Sequence, residues 1–243
     1  MFSRVYTIFD RRRRPLRNHV YLAFPDHDVA YARLTEPAFH ALCPVLHLLA
    51  GHAEISPKDQ RHYKTSENSE RFLFHGNVEL LTARELKRRY PKMKIVAWVQ
   101  DPLERLAYCY EKVILADTPL PSYYSDRHFH KDMSPHEFVS HVELISDLEA
   151  DNLFRSQAST LTYKGALTAD IVLRLEHYEQ SLDRFLSQSS LKAKPKSGLR
   201  YRISDYVSPS TLRSFKDDWL SNKLRQRYKS DYDLFYSQEV AQA

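Results

Sequence analysis

Glycine is scarce in this chain. Its 243 residues contain only 4, where average usage of about 7% would give roughly 17. That shortage weighs against any phosphate cradle built from a glycine-rich loop. No Gly-x-x-x-x-Gly-Lys-Ser/Thr segment occurs, which disfavours a P-loop kinase. The nucleophile-elbow pattern of serine hydrolases is missing as well. Only two cysteines are present, Cys43 and Cys109. One disulfide is formally allowed, but two scattered cysteines fit buried thiols of a reducing compartment better. No run approaches the ~20 apolar residues of a membrane span. Polar and basic residues interrupt the start of the chain, so it lacks a signal-type apolar core. The expectation is a cytoplasmic protein with no transmembrane segment.

What is present describes a globular chain: 42% hydrophobic and 28% charged residues, enough length and apolar content to bury a core. The formal charge is +5 and the pI about 9.0. This modest excess suits an anionic ligand without selecting one. Arg11 to Arg14, with Arg17 behind, is the densest basic block. It reads as a solvated turn or as a patch facing phosphate, glycan or membrane. No aromatic-basic repeat accompanies it, so nucleic acid is not an expected partner. His128 and His130 stand alone without further ligands at metal spacing, and no metal site is expected.

Hydrophobic pattern and punctuation place the elements. His19–Phe24 reads as a short buried strand ended by Pro25-Asp26. An apolar helical pattern follows from Val29 to about Leu49, bent at Pro37 and Pro44. Ser56 to Glu70 reads as a loop and Arg71 to Phe74 as a second strand. Thr82-Ala83-Arg84-Glu85 is a capping box opening a helix that stops before Pro91. Met93 to Val99 is the clearest strand. Asp101-Pro102-Leu103-Glu104 then caps a helix whose apolar face runs from Leu103 to Ile114. Thr118 to Met133 reads as a loop or lid, Ser134-Pro135 opens a helix, and Ser159 to Tyr163 and Asp170 to Leu175 read as strands. A helix follows from about Tyr178, Lys192 to Arg202 forms a basic loop, and Ser208-Pro209 starts the last helix.

This alternation predicts an α/β fold: a mostly parallel central sheet with helices on both faces. The expected organisation is a basic segment over 1–18, one domain over 19–236 and a tail over 237–243. Ligands in such sheets bind at the carboxyl ends of strands, which points to the turns after Phe24 and after Val99.

Ile95 to Lys112, IVAWVQDPLERLAYCYEK, resembles the 3′-phosphate-binding segment of the sulfotransferases that act on carbohydrates. Asp101, Pro102, Arg105, Leu106 and Tyr110 match its spacing. Phe74-His75-Gly76-Asn77-Val78, Val172 to Phe185 and Tyr201 to Phe235 resemble three further segments of that family, in the same order, so the resemblance covers about residues 19 to 236. It implies a three-layer sandwich related to P-loop NTPases. It also implies transfer of a sulfuryl group from 3′-phosphoadenosine 5′-phosphosulfate to a carbohydrate or other hydroxyl acceptor, by in-line displacement with charge stabilisation.

Carried over position by position, the resemblance makes Pro25, Asp26, His27 and Asp28 the 5′-phosphosulfate loop. Gln100, Arg105 and Tyr108 become the 3′-phosphate grip, with Lys196 and Arg200 in a closing basic loop. His75 and Asn77 stand where the catalytic base belongs. The departures are large. Asp26 and Asp28 replace the family's lysine and glycines, and like charges about 4 Å apart cost roughly 4 kcal/mol near a protein surface. Gln100 and Tyr108 stand where arginine and serine are expected, and a glutamine lacks arginine's charged fork. Asn77, an amide, cannot take a proton, and His75 can equally be a strand-end histidine. Arg105 has a structural alternative, and the Lys196–Arg200 loop a solvated one. Two functions therefore compete: a sulfotransferase with an altered pocket, or a catalytically degenerate relative that binds a glycan, a nucleotide or a protein.

Overall fold

The computed structural model describes residues 18–52, 76–189, 191 and 200–237. His75, Lys196, the basic block at 11–14 and the expected strand Arg71–Phe74 lie outside them.

The chain enters the sheet with β1 (Tyr21–Phe24) and turns through one 3-10 turn, Pro25–His27. It returns at once as β2 (Val29–Ala32), antiparallel to β1, with Phe24 opposite Val29. Asp28 closes this hairpin at φ +50°, donating its N–H to the Pro25 carbonyl. Aspartate is among the residues that tolerate this left-handed geometry. The helical reading of Val29–Leu49 is thus corrected at its start. Val-Ala-Tyr-Ala is buried along its whole length, so an apolar run carries no alternation to mark it as strand. Only α1 (Glu36–Leu49) is helical, with Thr35 as its N-cap.

Next come β3 (Glu79–Leu81), α2 (Ala83–Arg89) with its reciprocal capping box, β4 (Lys94–Val99) and α3 (Pro102–Tyr110). One π turn over Glu111–Leu115 extends α3. The short α4 (Ser122–Ser125), then α5 (Pro135–Leu144) and α6 (Gln157–Leu161), precede a two-stranded ribbon of β5 (Thr162–Tyr163) and β6 (Ala166–Leu167). The expected strand from Ser159 is therefore helical up to Leu161, because Ser156 caps that turn from its Oγ. β7 (Ile171–Arg174) and α7 (Tyr178–Gln188) follow. The last predicted helix is three: α8 (Pro209–Phe215), α9 (Asp218–Arg227) and α10 (Lys229–Phe235).

The main sheet has the order β3-β1-β2-β4-β7. β2, β4 and β7 pair in parallel, and only β1 runs against the rest. Its two faces separate by strand periodicity. Leu22, Phe24, Val29, Tyr31, Val96, Trp98 and Leu173 pack on α1 and α7. The alternate residues Tyr21, Ala23, Ala30, Ala32, Ile95, Ala97 and Val99 pack against Leu86 of α2, Leu161 of α6 and Phe235 of α10. The sheet is covered on both faces, as the alternation predicts. A separate helical core joins α3, α5, α8 and α9 through Leu106, Tyr110, Phe138, Phe215 and Leu224. The expected lid belongs to it: Tyr124, Phe129 and Met133 are buried, and each such side chain contributes roughly 1.5–3 kcal/mol. Among the described residues no helix is long and apolar enough to cross a membrane.

Candidate functional site at the carboxyl edge of the parallel strands

The sheet register decides which turns can share a site. Phe24 pairs with Val29, and Val29 with Lys94. The Pro25–Asp28 turn therefore lies at the start of β4, and the Asp28 carbonyl accepts the Lys94 N–H at 3.2 Å. Gln100 and Asp101 lie at its other end, roughly 17 Å away for a six-residue strand. The expected two-loop pocket is corrected accordingly. Pro25, Asp26, His27 and Asp28 form a hairpin at the edge opposite Gln100 and cannot share a ligand grip with it. Asn77 joins the same far edge, donating its side-chain amide to Asp26 at 2.7 Å, so its expected catalytic place is corrected too.

Three strand-to-helix corners do share the carboxyl edge. β2 leads through Arg33-Leu34-Thr35 into α1, where Thr35 Oγ1 accepts the Ala38 N–H. β4 leads through Gln100-Asp101 into α3, where Asp101 accepts from Leu103 and Glu104. β7 leads through Leu175-Glu176-His177 into α7, whose N-cap His177 makes no side-chain cap bond.

At the second and third corners the chemistry is acidic. The Asp101 N–H donates to Glu176 Oε1, and the Tyr236 hydroxyl donates to Glu176 Oε2 at 3.4 Å. Burial, above all, raises Glu176 to about 7; its hydrogen bonds with N–H groups oppose this, and the charges of Glu104 and Asp101 add to it. Glu104 is raised by burial first and by Asp101 second. Fully buried Gln100 is held at its backbone by Gln157, whose Oε1 accepts the Gln100 N–H at 3.0 Å and whose Nε2 donates to the Gln100 carbonyl at 2.8 Å. The Gln100 side-chain amide donates to the Tyr201 hydroxyl at 2.9 Å, and that hydroxyl donates to Glu104 at 3.5 Å. Gln157 is itself fixed by buried Asp231, which accepts the Gln157 and Ala158 N–H groups at 3.0 and 2.8 Å. Gln100 is therefore a scaffold for Tyr201 and Glu104. Among the described residues no three His, Cys, Asp or Glu are placed to share a metal ion.

A row of half-buried rings crosses this edge. Tyr201 stacks on Tyr206 with centroids 5.9 Å apart and 26° between planes, and Tyr206 stacks on His40 at 6.2 Å and 20°. Tyr108 meets Tyr206 edge-on at 6.2 Å. Clefts open at both ends of the row. One, of about 350 Å³, is lined by Glu176, His177, Tyr178, Arg200, Tyr201 and Arg202 among others. The other, of about 240 Å³, lies at the β2–α1 corner beside Arg33, Thr35, Glu36, His40, Arg105 and Tyr108.

Two expected phosphate ligands are committed elsewhere. Arg105 donates to the backbone carbonyls of Arg155, Asn152 and, at 3.5 Å, Leu34. It pins the β2–α1 corner to the turn before α6. The Tyr108 hydroxyl donates to Glu36 at 2.5 Å, and Lys112 pairs with the same carboxylate. Arg200 reaches Asp205 at 3.9 Å and lines the larger cleft. The sequence reading passed over Arg33, Glu36, His40, Tyr206 and the site role of Glu104 and Glu176. Apart from Tyr206, which closes the 3-10 turn Ile203–Asp205, their common signal was position, each following the carboxyl end of a strand or sitting a turn or two beyond it.

No protein-family model, curated protein or solved structure matches the chain.

Proposed function

We propose that the chain binds a hydroxyl-rich, carbohydrate-class ligand on the tyrosine- and carboxylate-lined edge. The scaffold would be of the carbohydrate-sulfotransferase kind, with no transfer from 3′-phosphoadenosine 5′-phosphosulfate. One observation carries this reading: Asp101, Glu104 and Glu176 gather at the corners where the resembled family grips a phosphate. A phosphate brought there meets like charge at about 4 kcal/mol per close contact before screening. A sugar hydroxyl meets acceptors instead, and a pyranose face meets rings with an apolar body and a polar tip. Raised carboxyls add a further use, since a protonated Glu176 or Glu104 donates a hydrogen bond to a hydroxyl oxygen.

A second reading, sulfuryl transfer, draws on one feature. The β2 corner presents a cation, Arg33, and a hydroxyl, Thr35, at a helix start beside the β4 corner, an arrangement suited to an anion. Titration calorimetry separates the two. A neutral oligosaccharide should bind, and Tyr201→Ala with Glu104→Gln should abolish its heat. 3′-Phosphoadenosine 5′-phosphate should bind no tighter than about 10 µM, because lost charged hydrogen bonds cost about 1.5–3 kcal/mol each. Sub-micromolar nucleotide binding sinks the glycan reading and restores sulfuryl transfer.

A further inference from the structure

We propose that the outward face of α2 and the turn after it, carrying Arg84, Lys87, Arg88 and Lys92, is a docking surface for the headgroups of an anionic lipid bilayer. The proposal rests on the charges of this face and stands apart from the glycan reading.

The charge is concentrated. Residues 84–94 hold six cations, Arg84, Lys87, Arg88, Arg89, Lys92 and Lys94, against the single carboxylate of Glu85. Their net +5 equals the formal excess of the whole chain, so the remainder sums to zero. Local structure then sorts the six. Glu85 turns back to the start of its helix, where its carboxylate accepts the Thr82 N–H at 2.9 Å and the Thr82 hydroxyl at 2.8 Å. Arg89 pairs with Glu79. Lys94 donates to Gln188 Oε1 at 3.1 Å and opens β4 beside the Asp28 carbonyl, where Asp26 and Asp28 offset its charge.

Four cations remain. Leu86 is fully buried against the sheet, which turns the opposite side of α2 to solvent. Arg84, Lys87 and Arg88 fall at i, i+3 and i+4 and so neighbour one another on that side. Lys92 follows in the turn before β4. Arg84, Arg88 and Lys92 are exposed and Lys87 is half-buried. Among the described residues none of the four has a carboxylate at ion-pair distance. Helix stability does not account for all of them. Lys87 and Arg88 suit the last turn, but Arg84 stands in the first, where the helix dipole favours the opposite sign. It also repels Arg88 four positions on.

The rest of the face chooses among polyanions. Tyr90 is the only aromatic residue of 84–94, and its hydroxyl is committed to Glu79, so the bases of a single strand find no stacking platform. The seven-residue α2 lies flat with Leu86 on the sheet, too short to enter a duplex groove as a reading helix. Among the described residues no large hydrophobic side chain of 79–94 is exposed, so contact is with headgroups and not acyl chains. A cluster of Lys and Arg on an amphipathic helix suits anionic headgroups, and each cation held near such a surface strengthens binding about fivefold. Four acting together give roughly 600-fold over a neutral bilayer.

The test is co-sedimentation of the full chain with vesicles of phosphatidylcholine alone or with about 40% phosphatidylglycerol. Binding should be at least about a hundredfold tighter to the anionic set. It should be lost as salt rises from about 0.1 to about 1 M, where the screening length falls from about 10 to about 3 Å. Lys87→Gln with Arg88→Gln should weaken it about 25-fold. Glutamine is a good helix former, and circular dichroism checks that the variant keeps its fold. Arg84→Gln with Lys92→Gln is a second pair with the same expected loss. Arg184→Gln with Arg213→Gln removes equal charge from exposed positions elsewhere and should weaken binding less than about threefold. Equal losses from the α2 pairs and this control, or no loss from the α2 pairs, overturn the proposal. A soluble polyphosphate that binds tighter than the vesicles at equal charge, and depends on the same cations, gives the face to a soluble polyanion and overturns the lipid assignment. Neutral-oligosaccharide binding should be unchanged in the α2 variants, so either idea can fail alone.

Discussion

Replacing Glu176 by Gln should stabilise the protein above neutral pH and leave its stability below pH 4.5 almost unchanged. The native carboxyl is raised from 4.5 to about 7 by burial and by Glu104 and Asp101. A raised carboxyl binds its proton more tightly in the folded state, so native stability falls as pH rises between those two values and levels off above them. A shift of that size corresponds to at most about 3.4 kcal/mol at 1.36 kcal/mol per unit. Glu176 is nonetheless an exposed residue whose carboxyl is only crowded by its neighbours, and water screening reduces the effect to roughly 1–2 kcal/mol. For a chain of this length that is about 2–8 °C in melting temperature. Glutamine keeps an oxygen for the Asp101 N–H, so the substitution removes the charge with little loss of bonding. Thermal unfolding of wild type and variant is followed by circular dichroism from pH 4.5 to 8.5 at constant ionic strength. The variant-minus-wild-type difference should rise through pH 5–7 and then flatten, and Glu104→Gln should move the midpoint of that rise toward acid. A difference that stays flat across the range, or a variant less stable at pH 8, refutes the picture of an acidic, partly protonated edge.

Two further outcomes follow from the packing. Asp231→Ala removes the acceptor of the Ser156 hydroxyl and of the Gln157 and Ala158 N–H groups. It should cost about 3 kcal/mol by calorimetric or denaturant unfolding, and a cost under about 1 kcal/mol would show that water replaces the carboxylate. Burial raises the Cys43 and Cys109 thiols to about 12, so neither should react with a thiol reagent at pH 8 until denaturant is added. Prompt labelling of the folded chain would contradict their buried placement.

Local signals in the sequence survived wherever a few adjacent residues decide the structure. The capping box at Thr82 closes as its spacing predicts, and a helix opens at Ser134-Pro135 as expected. β4 and α3 sit where a β-rich run followed by Asp-Pro places them. At Asp101 the same signal misled in part: the cap forms, but Glu104 turns toward Tyr201, 97 positions away, instead of back to the backbone. Val29–Ala32 was misplaced because a strand buried on both faces and a buried helix share one apolar pattern. Nothing local announces the left-handed Asp28 that reverses the chain. The predicted site failed for the same reason. Gln100, Arg105 and Tyr108 reach the carboxyl edge as expected, yet their partners Tyr201, Arg155 and Glu36 are fixed only by tertiary packing.

Moving the first corner one strand along changes the electrostatics of the whole edge. With the phosphate loop placed after Phe24, two aspartates would face Gln100 and the pocket would be acidic throughout. With β2 as the strand beside β4, the edge carries both signs: Arg33 and Arg105 line the cleft at the β2–α1 corner, Asp101, Glu104 and Glu176 sit at the β4 and β7 corners, Arg200 and Arg202 line the larger cleft with Glu176, and the rings of His40, Tyr206 and Tyr201 lie between the clefts. A phosphate seated at the β4 and β7 corners meets the like charge of Asp101, Glu104 and Glu176. An uncharged chain of hydroxyls meets none. That mixture of charge around one row of rings makes the edge a better match to a saccharide than to a nucleotide bearing phosphates at both its 3′ and 5′ positions.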